Sequence, residues 1–376
     1  MKAIINAKII TDKEILLGYN LLFSKKIITI TKELPIWARV IDAKGLYLSS
    51  GFIDIHIHGS NGFDVMDASF DALDEISKSI LHTGTTSFLA TTMTMSQEEI
   101  IKALSNIQQH KRMVTGAKVL GTHLEGPFIS LEKHGAQNSK FIQPSNLELI
   151  EPFMDSINMI TLAPEVKLAK EFIEDLSKNY PNILLSIGHS NASFEEAKES
   201  FQWGISHSTH LFNAMNPLHH REPGIVGAVL ETDEISCDII ADLIHIHPSF
   251  FNLLYKLKKE QLVLITDAMR AGCLCAGVSE IGGQKVVVNN GEARLEDGTL
   301  AGSVLKLNEA LRNFSKHSEI SLVELIATVT STPAKKLGLE IGLLEEGYPV
   351  DLVLFDEDFN IFSVYVNGVE KITAKT

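Results

Sequence analysis

Between about residue 49 and residue 338, short apolar runs alternate with longer stretches in which apolar residues recur every three or four positions. The runs fall at 51–57, 85–91, 117–123, 159–163, 183–187, 204–207, 235–241 and 262–266, most of them followed by polar or glycine-containing loops. Helical spacing fills 70–82, 97–110, 168–179, 194–201 and 248–258. Strand followed by helix, repeated, predicts a parallel sheet. Eight such strands predict an α/β fold built as a (β/α)8 barrel of the TIM type, whose catalytic groups stand at strand C-terminal ends.

The two ends of the chain read differently. Residues 1–48 hold β-like pieces at 3–11, 26–30 and 39–42 with no helical spacing between them, and residues 344–376 repeat the pattern at 350–356 and 361–366. The expectation is a small β-sandwich domain built from both chain ends, 1–48 and 344–376, beside a barrel spanning 49–343. A β-rich excursion near 282–299, with turn signals at Asn289-Asn290-Gly291 and Asp297-Gly298, is either a hairpin after the eighth strand or part of the small domain.

Composition narrows the classes. No apolar run approaches the ~18 residues that a membrane helix needs, and the start reads as a strand rather than as a signal peptide. Cys237, Cys273 and Cys275 make an odd count, which argues against a disulfide framework and for a reducing, cytoplasmic compartment. Cys273 and Cys275 have no second pair to complete a zinc knuckle. A net charge of −14 excludes a nucleic-acid binder, which needs clustered Lys and Arg. Screening confines that repulsion to about 10 Å, so a local cationic pocket can still hold a phosphate.

Chemistry-bearing residues gather at the strand ends. His56 and His58 are two apart on the first run, and strand alternation puts both on one face. Glu125 follows the third run, His189 the fifth, His210 the sixth, and Asp267 ends the eighth. Singly each has an ordinary reading: a chance His-x-His, a solvated loop carboxylate, a core histidine, a helix N-cap. Jointly they form a set able to bind one or two divalent ions and leave a position for water. Asp267 is then the candidate acid/base.

At these residues the chain resembles the amidohydrolase superfamily and, within it, the family of N-acetylglucosamine-6-phosphate deacetylases. The resemblance covers nearly the whole chain. It rests on 51–59, His-Leu-Glu-Gly-Pro-Phe at 123–128, Gly-His-Ser at 188–190, Thr-His-Leu-Phe-Asn-Ala-Met-Asn-Pro at 209–217, 224–227, Thr-Asp-Ala at 266–268 and the block at 294–303.

The resemblance implies deacetylation of a phosphorylated amino sugar. Glu125, His189 and His210 would bind a principal ion, His56 and His58 a second, with Asp267 catalytic. Zinc, iron, cobalt and manganese all suit such ligands. Arg221 and His245 would grip the phosphate, helped by Asn213 and Ala214 through backbone N–H groups. It also implies a homodimer. Some members carry a histidine where this chain has Gln137, and here His134 sits three places earlier. Gln137 can donate a hydrogen bond to substrate but cannot carry a proton. Leu305 and its apolar neighbours are expected over the acetyl methyl. The galacto epimer, or another N-acyl compound, is the alternative substrate. A non-enzymatic protein on this barrel would be expected to lose ligands, and every one is retained.

Overall fold

The computed structural model describes residues 1–274 and 276–373, so Cys275 lies outside the described residues. Eight parallel strands pair in sequence order: Phe52–Ile57, Thr85–Thr91, Lys118–Glu125, Ile157–Leu162, Leu184–Ile187, His207–Ser208, Ser236–Ile240 and Leu262–Ile265. The first and last strands meet at their C-terminal ends. Asp267 N–H donates to the His56 carbonyl and His58 N–H to the Ala268 carbonyl, both at 2.9 Å. Asp54 reinforces that seam by accepting from Thr266 Oγ1 at 2.6 Å. The barrel is thereby nearly closed.

The strands read as apolar runs because helices cover them outside and side chains fill them inside. Every residue of Phe52–Ile57 and Thr85–Thr91 is buried. Helix starts carry matching caps: Ser96 with Glu99 before Gln97–His110, and Ser193 with Glu196 before Phe194–Trp203.

Two expected boundaries shift for stated reasons. The sixth strand is only His207–Ser208, because Gly204, at φ 133°, closes the preceding helix instead of starting the strand. The third strand runs on to Glu125, which makes that carboxylate part of the sheet. Helices Gly224–Glu231, Leu307–Lys316, Leu322–Ala327 and Ser331–Lys336, with the short Leu147–Ile150, add to the five expected. The first of these reads Gly-Ile-Val-Gly-Ala-Val-Leu-Glu, too uniformly apolar to show a helical period.

The chain ends pair as the pattern implied. Leu352–Phe355 runs antiparallel to Tyr47–Ser50 within a six-stranded sheet. A four-stranded sheet from the N-terminal part, holding Lys2–Ile5 and Asn20–Phe23, packs over it. Alternation gives the six-stranded sheet two jobs. Leu352 and Leu354 face the sandwich core with Ile9, Leu48 and Tyr365, while Val353, Phe355 and Val364 join the barrel core. Phe355 touches Tyr47, Phe52 and Phe359, with ring centroids 5.6–5.9 Å apart.

The excursion near 282–299 is a separate three-stranded antiparallel sheet, Gly277–Ile281, Gln284–Asn289 and Glu292–Leu295. Its apolar face packs on Met93, Met269 and Ala301 beside the barrel mouth rather than on the end sheets. Cys237 and Cys273 are free thiols. Among the described residues, no helix is long and apolar enough to cross a membrane.

Removing the Phe355 ring from between the end sheet and the barrel is expected to destabilise the chain. Phe355→Ala should lower the unfolding free energy by about 3–5 kcal/mol, read from the urea midpoint at unchanged m-value. A loss below about 1 kcal/mol would show that this contact does not tie the two together.

Candidate metal centre

Asp54, His56 and His58 alternate along one strand end and so share the interior face. Glu125 closes the third strand. His189, His210 and Asp267 each stand two residues past their strands, in left-handed backbone at φ 48°, 31° and 47°. Such conformations in non-glycine residues cost roughly 1–3 kcal/mol each and persist only where the surroundings impose them. Here they are imposed. The His189 carbonyl accepts from Ser130 N–H at 2.8 Å, His210 N–H is held by the Asp238 carboxylate, and the Asp267 carbonyl accepts from Ser303 N–H at 2.7 Å.

The side chains converge on Glu125. Its Oε1 lies 3.1 Å from His210 Nε2, 3.3 Å from His189 Nε2 and 3.4 Å from His56 Nε2, and its Oε2 lies 3.2 Å from His58 Nε2. Asp267 Oδ1 is 3.3 Å from His56 Nε2 and 3.2 Å from His58 Nε2. Two groups result, His56–His58–Glu125 and Glu125–His189–His210, with ligand atoms within 4.8 Å of one another in each.

The donor set fits a divalent cation. Imidazole nitrogens 3.1 and 3.2 Å apart can share a single proton or point lone pairs at a common positive charge. His58 Nδ1 faces the Thr91 carbonyl at 3.2 Å and His189 Nδ1 the Lys133 carbonyl at 3.0 Å. A carbonyl can only accept, so Nδ1–H is the donor in each, and the neutral ring leaves an Nε2 lone pair turned into the cluster.

Electrostatics point the same way. Burial opposes ionisation of Glu125 and Asp267, yet His56 and the other imidazoles outweigh it, holding Asp267 below the usual carboxylate range and Glu125 well below. Burial likewise opposes charge on the histidines. Asp267 and Glu125 outweigh it at His58, and Glu125 lifts His210 to about 9. The buried carboxylates thus demand positive charge, which protons or a divalent ion can supply. Asp54 is pushed up to about 6 by burial.

A cavity of about 180 Å³ opens over this cluster, and Gln137, Asn213, Ala214 and His245 all line it. His245 is oriented by Asp242, whose Oδ2 lies 2.6 Å from its Nδ1. Arg221 is not brought to the cavity. It is exposed on the loop before Gly224–Glu231, 2.9 Å from His220 Nε2. The Asn213 N–H is committed to a turn through the His210 carbonyl at 2.9 Å. Leu305 packs into the barrel core, and Leu300 and Ile281 line the cavity instead.

Other contributors carried weak signals in the sequence. His123, buried and held by burial and by His56 well below its ordinary pKa, packs edge-on against His56 at 4.5 Å. It lies in the same block as Glu125, two residues earlier. Asp238 sits inside an apolar strand, and a carboxylate in such a run is the one mark that could have flagged it.

Because both groups share Glu125, Glu125→Ala is expected to abolish tight binding of every divalent ion, whereas His189→Ala should spare the His56–His58 side. Metal per chain after zinc loading and desalting, by elemental analysis, checks this. Equal loss in both variants would contradict a shared ligand.

Comparison with known proteins places the chain. The model of the amidohydrolase family matches residues 47–371. The N-acetylglucosamine-6-phosphate deacetylase of Bacillus subtilis is 40% identical over 96% of this chain and 94% of its own length. The N-acetylgalactosamine-6-phosphate deacetylase of Escherichia coli O157:H7 is 32% identical, over 96% and 97%. The crystal structure of N-acetylglucosamine-6-phosphate deacetylase from Pasteurella multocida superposes with a TM-score of 0.93 at 32% identity, covering 98% of this chain and 99% of that one. The chain belongs to the amidohydrolase family.

Proposed function

We propose that this chain removes the acetyl group from N-acetyl-D-glucosamine 6-phosphate, releasing D-glucosamine 6-phosphate and acetate. The observation that carries the reading is a buried carboxylate, Asp267, set 3.2 and 3.3 Å from two imidazoles of a metal-ligand cluster, at the floor of a cavity. Relatives named for this reaction, matched over nearly the full length, support the substrate.

Glu125, His189 and His210 would hold a divalent cation, and His56 and His58 would hold a second where one binds; such an ion would supply Lewis acidity toward an amide carbonyl and a bound water. The rest falls to the chain's own groups. Asp267 takes the proton of the attacking water and passes it to the departing nitrogen. Its ionised form is ready for that first step, because the neighbouring imidazoles hold its pKa down. Leu300 and Ile281 offer an apolar wall for the acetyl methyl. His245, fixed by Asp242, serves the phosphate, and Arg221 is assigned to it on the resemblance alone. Zinc, iron, cobalt and manganese all fit the donors. A cytoplasmic homodimer belongs to the same reading, supported by the free thiols and by the family resemblance.

The relative named for the galacto epimer favours a second substrate, N-acetylgalactosamine 6-phosphate. A single hydroxyl direction separates the two, so kcat/KM on both decides between them.

Acetate release from N-acetylglucosamine 6-phosphate is expected to stop after chelation and return with added metal, while the unphosphorylated sugar is turned over poorly. Release from neither sugar phosphate overturns the proposal. Asp267→Asn should keep its metal and lose ~100-fold or more in kcat, the scale of general acid–base catalysis. Turnover near that of the unaltered protein would remove Asp267 from its role.

A further inference from the structure

Gln137 stands where the resemblance places a histidine, and it is almost fully buried among the ligands. Its amide has one sensible orientation. Oε1 accepts from Thr94 N–H at 2.7 Å, so the NH2 group faces Glu125 and donates to Oε2 at 2.7 Å. The side chain expected to address substrate therefore spends one N–H on a metal ligand.

The loop that carries it is braced against movement. Gln137 N–H donates to the His134 carbonyl at 2.8 Å, and His134 Nδ1 returns a contact to the Gln137 carbonyl at 3.0 Å. Gln284, from the three-stranded sheet, donates to the Ala136 carbonyl at 2.6 Å. Lys133 contributes the carbonyl that orients His189. The displaced His134 thus holds the turn that aims Gln137.

The two oxygens of Glu125 are consequently unlike. Oε1 sits among His210, His189 and His56, while Oε2 is shared between His58 and the Gln137 amide. We propose that Gln137 is a positioning residue that pins the Glu125 carboxylate, so that Oε1 is the oxygen offered to an ion at His189 and His210. This rests on the metal-site reading given above. The terminal torsion of a glutamate is soft, and a hydrogen bond on one oxygen removes that freedom before the ion arrives. The same N–H occupies lone-pair density that an ion at His56 and His58 would need. Gln137 therefore biases occupancy toward the Glu125–His189–His210 position.

The test is zinc affinity of the full chain after chelator stripping, by competition with a chromophoric chelator, beside thermal unfolding of the stripped protein. Gln137→Met keeps the length and removes the donor. It is expected to unfold cooperatively when stripped and to bind the tighter ion about 10-fold or more weakly, the usual effect of losing a ligand's hydrogen-bond partner. Should it fail to fold, Gln137→Ala, which leaves room for water at the Thr94 amide, replaces it. Affinity within twofold of the unaltered chain, with only KM for the sugar phosphate raised, overturns the proposal, since Gln137 would then act on substrate alone. An unaltered chain that binds no zinc overturns the metal reading itself, an outcome distinct from a loss confined to the variant.

Discussion

Glu125 is 2% exposed and has four imidazole nitrogens within 3.4 Å, with the Asp267 carboxylate against two of the same rings. A buried carboxylate in that setting is untenable without positive charge close by. The fold is organised around meeting the demand. Strand order brings six side chains from five separate strand ends to one rim, and strand alternation turns His56 and His58 the same way. In the reaction proposed for the chain, an ion held by Glu125 would supply that charge beside Asp267.

Precision at the rim comes from beneath it. Several polar groups in the barrel interior below the cluster are paired. His207 Nε2 lies 2.9 Å from Asp238, which also holds the His210 backbone. Thr209 Oγ1 lies 2.7 Å from Thr161 and 2.6 Å from Ser186. Paired groups of this kind rigidify a core, whereas unpaired ones would weaken it. Asp238, with the Ser130 and Ser303 N–H groups, lets His210, His189 and Asp267 keep left-handed backbones that isolated peptide would not choose. The Asp54–Thr266 contact performs the equivalent task at the seam where the cylinder closes.

Much of this was legible in the order of residues, for reasons that also set the limits. The eight runs appeared because these buried strands are apolar on their helix-covered face, and the cluster appeared because each of its residues lies within its strand or at most two residues past its end. Asp267 was found the same way. Helix Gly224–Glu231 escaped because a segment apolar all round has no period to read. The partners of Gln137 escaped because Thr94 lies 43 positions away, and only the folded loop shows that its amide meets Glu125. Leu300 rather than Leu305 lines the cavity, a distinction set by the direction of the chain after Ala301. Arg221 followed from the resemblance, yet its exposure depends on a loop path that spacing does not encode.

Anomalous diffraction from crystals of the zinc-loaded chain, collected at the zinc edge, bears most directly on the shared carboxylate. A peak about 2.0–2.2 Å from Glu125 Oε1, His189 Nε2 and His210 Nε2 is the expected result. Peaks only elsewhere on the molecule, or a Glu125 side chain turned out of the cluster, would contradict it.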